Sequence, residues 1–506
     1  MTSGSADGQG VQGLHRDAVG LVPVLFQSVA NMAPGAAVAF SILFAAPYAG
    51  GATPLAVLIG LGLCLLVAVT IGQMAKHLPS AGGLYTYNAR GLGTGFGFMV
   101  GWAFLLAEVV VAPGGLLILG IVASTVLHAH LGWPIWTWAP FAAGAGLLVW
   151  FLVWRGIRMS TAASVTLGVF ELLVFLALAI SLITHAGPHN TAAVFTIHNH
   201  NAKGLGSVIP GVLYAVFGII GFEAAAPLGE EARNPKRTIP LAVFFSCLAI
   251  GVFYLCCYYG ATVFAGPAKM GGFIKLNGGD PWTALATSVW GLGFIAVTIA
   301  LVNSSLAGSN ASAVAATRVG YALGRIRMLP RVMARVHPKF GTPSVATHVQ
   351  MLLAIGYALG VGFAFGAPLK ALVFQGTIST ILIVAIYMAT GLSCISYYLR
   401  ERRGEFNVLL HGLIPLATFV LFIPVLLAAF GVNFAGLGIT PLAPPANEAP
   451  YVIYGWLGFG ILVLIYFLVT DRSRIARTGF VFEEPAKDAA AGPAAEADAP
   501  SLRDRR

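Results

Sequence analysis

The sequence predicts an all-α polytopic membrane protein of about twelve transmembrane helices, and three observations carry that prediction. Of the 506 residues, 58% are hydrophobic and only 9% are charged. A soluble domain carries roughly 25% charged residues, because a water-facing surface needs them. Mean hydropathy is +0.85 over the whole chain, so the apolar surplus is not confined to one anchor. Apolar runs of roughly 20 residues, the length that crosses hydrocarbon, recur about twelve times. These features exclude a soluble enzyme, a nucleic-acid binder and a disordered scaffold.

The spans follow in order. About 20 polar residues form a cytoplasmic N-terminal segment. The apolar run after them is too long for a signal-peptide core and is read as an uncleaved first span. The runs are centred in about 22–47, 52–75, 95–126, 135–154, 161–184, 207–227, 239–264, 284–312, 344–366, 370–398, 407–431 and 451–470. Pro240 is expected to begin the seventh helix, where a missing N–H costs nothing. The region from about 471 to 506 reads as a cytoplasmic, largely disordered tail, rich in Ala, Pro and acids towards its end.

Charge tests this count. With the N-terminus inside and twelve helices alternating, 24 of the 28 Lys and Arg fall in cytoplasmic segments, and only Lys203, Lys269, Lys275 and Lys370 fall outside. That is the asymmetry of a membrane protein with both termini in the cytoplasm. The net charge of +10 is therefore topological and implies no nucleic-acid partner. The five cysteines (Cys64, Cys247, Cys256, Cys257 and Cys394) lie in apolar runs and behave as small hydrophobes. No Cys–His metal spacing occurs, and no cofactor or metal is expected.

Two spans are interrupted. The first contains Ala33-Pro34-Gly35-Ala36, and the sixth contains Phe217-Gly218-Ile219-Ile220-Gly221-Phe222-Glu223. Backbone groups freed at mid-membrane find no partner in lipid, so a break must line a cavity or bind something. Either break alone could be a simple kink. Breaks at corresponding places in two halves of a chain point to an inverted repeat with a substrate site between them.

Three stretches then resemble a known family, the amino acid–polyamine–organocation permeases. They are Pro79-Ser-Ala-Gly-Gly-Leu-Tyr-Thr-Tyr87 after the second span, Gly221-Phe-Glu through Glu230-Glu231 to Asn234-Pro-Lys-Arg-Thr-Ile-Pro240 after the sixth, and Arg318 to Arg325 with Leu329-Pro330 after the eighth. The resemblance implies a LeuT-type fold over about 21–470. Its two inverted five-helix repeats would cover about 21–185 and about 205–400, with helices eleven and twelve in about 407–470. It also implies alternating-access transport of an amino acid or related amine across the cell membrane, proton-coupled or by exchange.

The same resemblance implies a substrate carboxylate at the first break (Ala33, Pro34, Gly35 and Ala36) and an ammonium at the second (Phe217, Gly218 and Gly221). A half-helix N-terminus offers free N–H groups and positive dipole to an anion. Asn303, Ser304 and Ser305 in span eight, with Gln375 and Thr377 in span ten, are further polar candidates, though such residues often join helices instead. Glu108, Glu171 and Glu223 lie within spans that hold no central Lys or Arg. Intramembrane acids cost about 2.5–3.5 kcal/mol to insert and are functional candidates for gating or proton coupling. Some relatives place a Lys in helix five, and none occurs here. Three unpaired acids keep open a cationic amino acid or polyamine as substrate. A sensor or membrane-embedded enzyme is the alternative of a different class. His128, His130, His185, His189, His198 and His200 map to external loops. Besides substrate, protons and membrane lipid are the expected partners; oligomeric state is not legible.

Overall fold

In the computed structural model the described residues are 20–475, apart from 80–82, 157–160, 198–203, 231, 326, 434–435, 437 and 473–474. Residues 1–19 and 476–506, with Arg158, His198, His200 and Glu231, lie outside them. Among the described residues are fifteen α-helices: α1 (Leu21–Met32), α2 (Pro34–Ala49), α3 (Thr53–Ala75), α4 (Leu84–Leu92), α5 (Thr94–Leu131), α6 (Trp138–Arg155), α7 (Thr161–His185), α8 (Leu205–Ile219), α9 (Pro235–Ala265), α10 (Pro281–Trp290), α11 (Phe294–Arg325), α12 (Ser344–Ala364), α13 (Pro368–Glu401), α14 (Ile414–Ala429) and α15 (Ala449–Thr470).

Ten helical stretches are long and apolar enough to cross a membrane, and α8 with the bent 3₁₀ segment that follows it makes an eleventh. One stretch, Leu21–Ala75, has 55 residues. At 1.5 Å per residue it would reach about 80 Å, more than twice a ~30 Å hydrocarbon core. It turns at Gly50, where φ is 53°, and makes two passes, α1–α2 and then α3. Counted so, the described residues supply twelve candidate crossings, the number the hydropathy indicates.

Two boundaries differ from expectation. The eighth crossing is α11 from Phe294 to Arg325, not a span centred in 284–312. The residues before it form the separate short helix α10, because Gly291 takes φ 54° and interrupts the run. Helix α9 begins at Pro235 rather than Pro240. Asn234 sits before it at φ 49°, and Pro235, which has no N–H to leave unpaired, occupies the first turn.

Helices α13 and α5 have the most buried crossing segments and α15 the least. Side chains such as Leu462, Ile465 and Val469 on α15 are exposed. On a water-soluble protein such a face would be an interaction patch; here lipid is the solvent. The rim of α15 is fastened to α5 by a reciprocal pair. Trp102 Nε1–H donates to Trp456 O at 3.0 Å, Trp456 Nε1–H donates to Trp102 O at 2.8 Å, and the rings stack at 4.7 Å.

Ion pairs gather at one face, where α3, α4 and α13 end. Arg90 pairs with Glu401 at 2.8 Å, and His77 meets Glu405 at 3.0 Å. Partial burial lowers the His77 pKa from its ordinary value, so at neutral pH its Nε2–H donates a hydrogen bond to that carboxylate. Beneath them Gln73 Oε1 accepts from Lys76 Nζ at 2.9 Å and lies 3.2 Å from His411 Nε2. The five cysteines are free, and all but Cys256 are buried.

Candidate functional site

Each break has a local cause. Helix α1 stops because Ala33 takes φ 44° and Pro34 cannot donate to the preceding turn. Helix α8 stops because Ile220 is extended and Gly221 takes φ 118°, a region glycine tolerates and other residues avoid. The next segment leaves at 44°. The two breaks touch. Ser28 Oγ donates to Phe222 O at 2.9 Å, and a Cβ on Gly221 would come within 3.0 Å of Met32 N.

Between them lies a cavity of about 100 Å³ bounded by α1, α2, α5, α8, α11 and α13. Drug-sized sites span ~300–1,000 Å³, so this one suits a solute of amino-acid size. Of the residues expected at the breaks, Ala33, Ala36 and Phe217 line it; Glu108, Glu223, Ser304, Ser305 and Gln375 line it too. Pro34, Gly35, Gly218 and Gly221 stand behind the wall and shape it. A Cβ on Gly35 would meet Phe175 and Ser304 at 3.2 Å, so this glycine lets α2 approach α7 and α11. Thr377 lies elsewhere, bonded to Tyr214 at 3.0 Å. Asn31 and Ser379, not singled out from sequence, also line the cavity. Ser379 falls one turn beyond Gln375 on the same face of α13, which is the signal that could have found it.

At the first break the N–H groups are few. Pro34 has none, and Ala36 N–H donates to Ser304 Oγ at 2.9 Å. Ser304 in turn donates to the carboxyl of Glu171, which also takes Asn303 Nδ2 at 3.5 Å. Glu171 and Asn303 therefore sit outside the cavity wall but are joined to the start of α2 through one hydroxyl. At the second break Gly221 N–H, which a continuing helix would return to Phe217 O, goes to Glu223 Oε2 at 2.9 Å. The same oxygen accepts from Tyr387 O–H at 2.8 Å, so Glu223 pins the break to α13. Glu108 is half-buried because it faces the cavity, and its carboxyl makes no hydrogen bond among the described residues.

Helix α5 comes close to its neighbours here. A Cβ on Gly115 would lie 2.4 Å from Ser305 O, and one on Gly114 would lie 2.7 Å from Gln375 Oε1. Two glycines in sequence thus set the width of the cavity.

Comparison with known proteins gives a consistent picture. The branched-chain amino acid permease BcaP of Lactococcus lactis is 28% identical over 88% of this chain and 90% of its own length. The Bacillus subtilis protein of the same name is 26% identical over 56% of this chain, and that match spans only 62% of the relative. The low-affinity putrescine importer PlaP of Escherichia coli is 26% identical over 77% of this chain and 83% of its length. A crystal structure of a manganese transporter from Eremococcus coleocola superposes with TM-score 0.50 at 15% identity, covering 89% of this chain and 95% of that one. At that identity the likeness shows the fold alone, an all-α bundle of the LeuT type. The amino acid permease family model matches residues 23–478. The chain belongs to that family of multi-pass membrane transporters.

Proposed function

We propose that the chain is a secondary active carrier of an amino acid or closely related amine, working by alternating access and driven by protons or by exchange. The observation that carries this reading is the small cavity held between two touching helix breaks. There α2 presents its N-terminus and α8 its carbonyl end, so one solute could satisfy its carboxylate and its ammonium at once. The residues proposed to hold it are Ala33, Pro34, Gly35, Ala36, Phe217, Gly218, Gly221, Asn303 and Ser304, some at the wall and some shaping it.

Coupling is assigned to the acids. Glu171 reaches Ala36 N–H through Ser304, so gaining or losing a proton there would alter the grip on the start of α2. Glu223 acts on the other break through Gly221 and Tyr387. The protein is placed in the cell membrane with both termini and the basic loops in the cytoplasm. A cationic amino acid or polyamine is the second reading, favoured by the unbonded Glu108 carboxyl in the wall.

Uptake into proteoliposomes tests this. Radiolabelled amino acids should accumulate under an imposed pH gradient or by counterflow. A protein that binds them without moving them would instead be a sensor.

A further inference from the structure

One patch on the face assigned to the cytoplasm is basic and holds no acid. Residues 155–160 and 325–343, which follow α6 and α11, contain seven Lys and Arg and no Asp or Glu. Elsewhere on that face Arg90 and Arg402 are paired with Glu401 and Glu405. The end of α6 and the segment before α12 are folded onto each other. Residues 335–344 make a tight hairpin, in which His337 N–H donates to Thr342 O at 2.8 Å and Ser344 N–H to Arg335 O at 3.1 Å. The Thr342 hydroxyl fixes the hairpin to α6 by donating to Trp154 O at 2.7 Å, and Trp150 Nε1–H donates to His348 Nδ1 at 2.9 Å. The Arg155 guanidinium lies 5.2, 5.9 and 5.1 Å from the ring centres of Phe151, Trp154 and Phe340, and Lys339 Nζ lies 5.8 Å from that of Phe340. Aromatic faces hold a cation in this way while its N–H groups stay open. Among the described residues the side chains of Arg155, Arg335 and Lys339 donate no hydrogen bond and join no ion pair.

We infer that this patch binds the headgroup of an anionic phospholipid of the inner leaflet, with Arg155 and Lys339 on its phosphate and Arg335 adding to the field from the base of the hairpin. Basic pockets between crossing helices on the cytoplasmic side suit such headgroups. The surroundings favour a lipid over a soluble anion. Leu147, Leu148 and Phe151 are exposed and lie one or two turns before Arg155 on the same side of α6. An exposed apolar stripe that ends in a guanidinium matches an acyl chain that ends in a phosphate. Trp150 and Trp154 occupy the last two turns of the same helix, the depth at which crossing helices carry their aromatic belt. A lipid held here would bridge α6 to the hairpin before α12 and so fasten segments far apart in the chain. Each Lys or Arg near an anionic surface is worth about fivefold in binding. A zwitterionic headgroup brings its own cation against the same pair, so net-negative lipid should be preferred by about tenfold or more.

Phosphatidylglycerol and phosphatidylcholine provide the probe, since they differ in net headgroup charge. The full-length protein, stripped of lipid in a neutral detergent, should hold phosphatidylglycerol at least about tenfold more tightly by native mass spectrometry. The same lipid should raise its melting temperature, because a ligand of the folded state stabilises it. Arg155→Gln combined with Lys339→Gln should bring the ratio near one and abolish the melting shift, and Arg155→Gln alone should lower the ratio by about fivefold. Arg400→Gln combined with Arg403→Gln removes the same charge elsewhere on that face and should leave the ratio unchanged. A wild-type ratio near one would overturn the site. So would equal losses in the two double variants, which would mean diffuse surface charge only. Displacement of phosphatidylglycerol by millimolar inorganic phosphate would make the patch a soluble-anion site. Displacement by a peptide of residues 483–498, with five acids and one lysine, would assign it to the chain's own tail, and either result would overturn the lipid.

Discussion

Glu223 Oε2 accepts two donors, one from the broken backbone and one from α13. Glu223→Gln keeps one oxygen for both donors but accepts them as a neutral amide, and bonds to a neutral acceptor are weaker than bonds to a carboxylate by about 1 kcal/mol each. Uptake by that variant should fall about tenfold or more in every assay mode. Glu171→Gln keeps an oxygen for Asn303 and Ser304 but cannot change protonation, so counterflow should survive while a pH gradient no longer drives accumulation. Full activity of both variants in both assays would overturn these roles. The acids were legible in the sequence because a carboxyl in an apolar run stands out against its surroundings. So were Ala33-Pro34 and Gly221, since those residue types disrupt helices. Asn31 and Ser379 were not, because one polar residue in a membrane helix looks the same whether it faces a cavity or a neighbouring helix. Nor does the sequence separate Ala36 at the wall from Gly35 behind it, a difference made by which face of α2 meets Ser304.

The helices themselves follow closely from hydropathy, and the exceptions have local causes. Span eight started late because Gly291 cuts α10 from α11, and two successive helices with no polar gap between them cannot be told apart by hydropathy. Helix α10 carries a pH-dependent cap. Asp280, outside the crossing segments, accepts Thr283 N–H at 3.2 Å and the Thr283 hydroxyl at 2.5 Å, and burial pushes its pKa up to about 6. The folded state then holds this proton more tightly than the unfolded chain, whose Asp titrates near ~3.9. The associated stability is present below that value and is lost as pH rises through about 6. The apparent melting temperature in detergent should therefore decline from pH 4 to 7, with a shallower decline in Asp280→Asn. An identical slope in the variant would refute this. The Trp102–Trp456 pairing joins residues far apart in the chain, and nothing local in either segment announces it.

For the whole molecule, the uneven distribution of Lys and Arg is the sharpest statement the sequence makes about orientation. Arg335, exposed between α11 and α12, and Lys275, exposed between α9 and α10, should lie on opposite sides of the membrane. In intact cells an impermeant maleimide should label Lys275→Cys and leave Arg335→Cys unlabelled until the membrane is opened. The reverse pattern would invert the topology. The repeat arrangement was visible only in outline, from paired breaks five spans apart. That the breaks touch at Ser28, Met32, Phe222 and Gly221 depends on packing between distant segments.

Among the described residues the crossing segments hold no Lys or Arg at mid-depth, and the carboxyls there are the three already described. An electrical consequence follows. A unit charge carried across the membrane exchanges about 2.3 kcal/mol with each 100 mV of potential. Over a complete cycle the protein's own charges return to their starting places, so the net charge moved is that of the solute and whatever ions accompany it, while a carboxylate contributes only to the charge displaced within single steps. Current measured against solute flux on a supported membrane would thus count the coupled charges directly, one variant at a time.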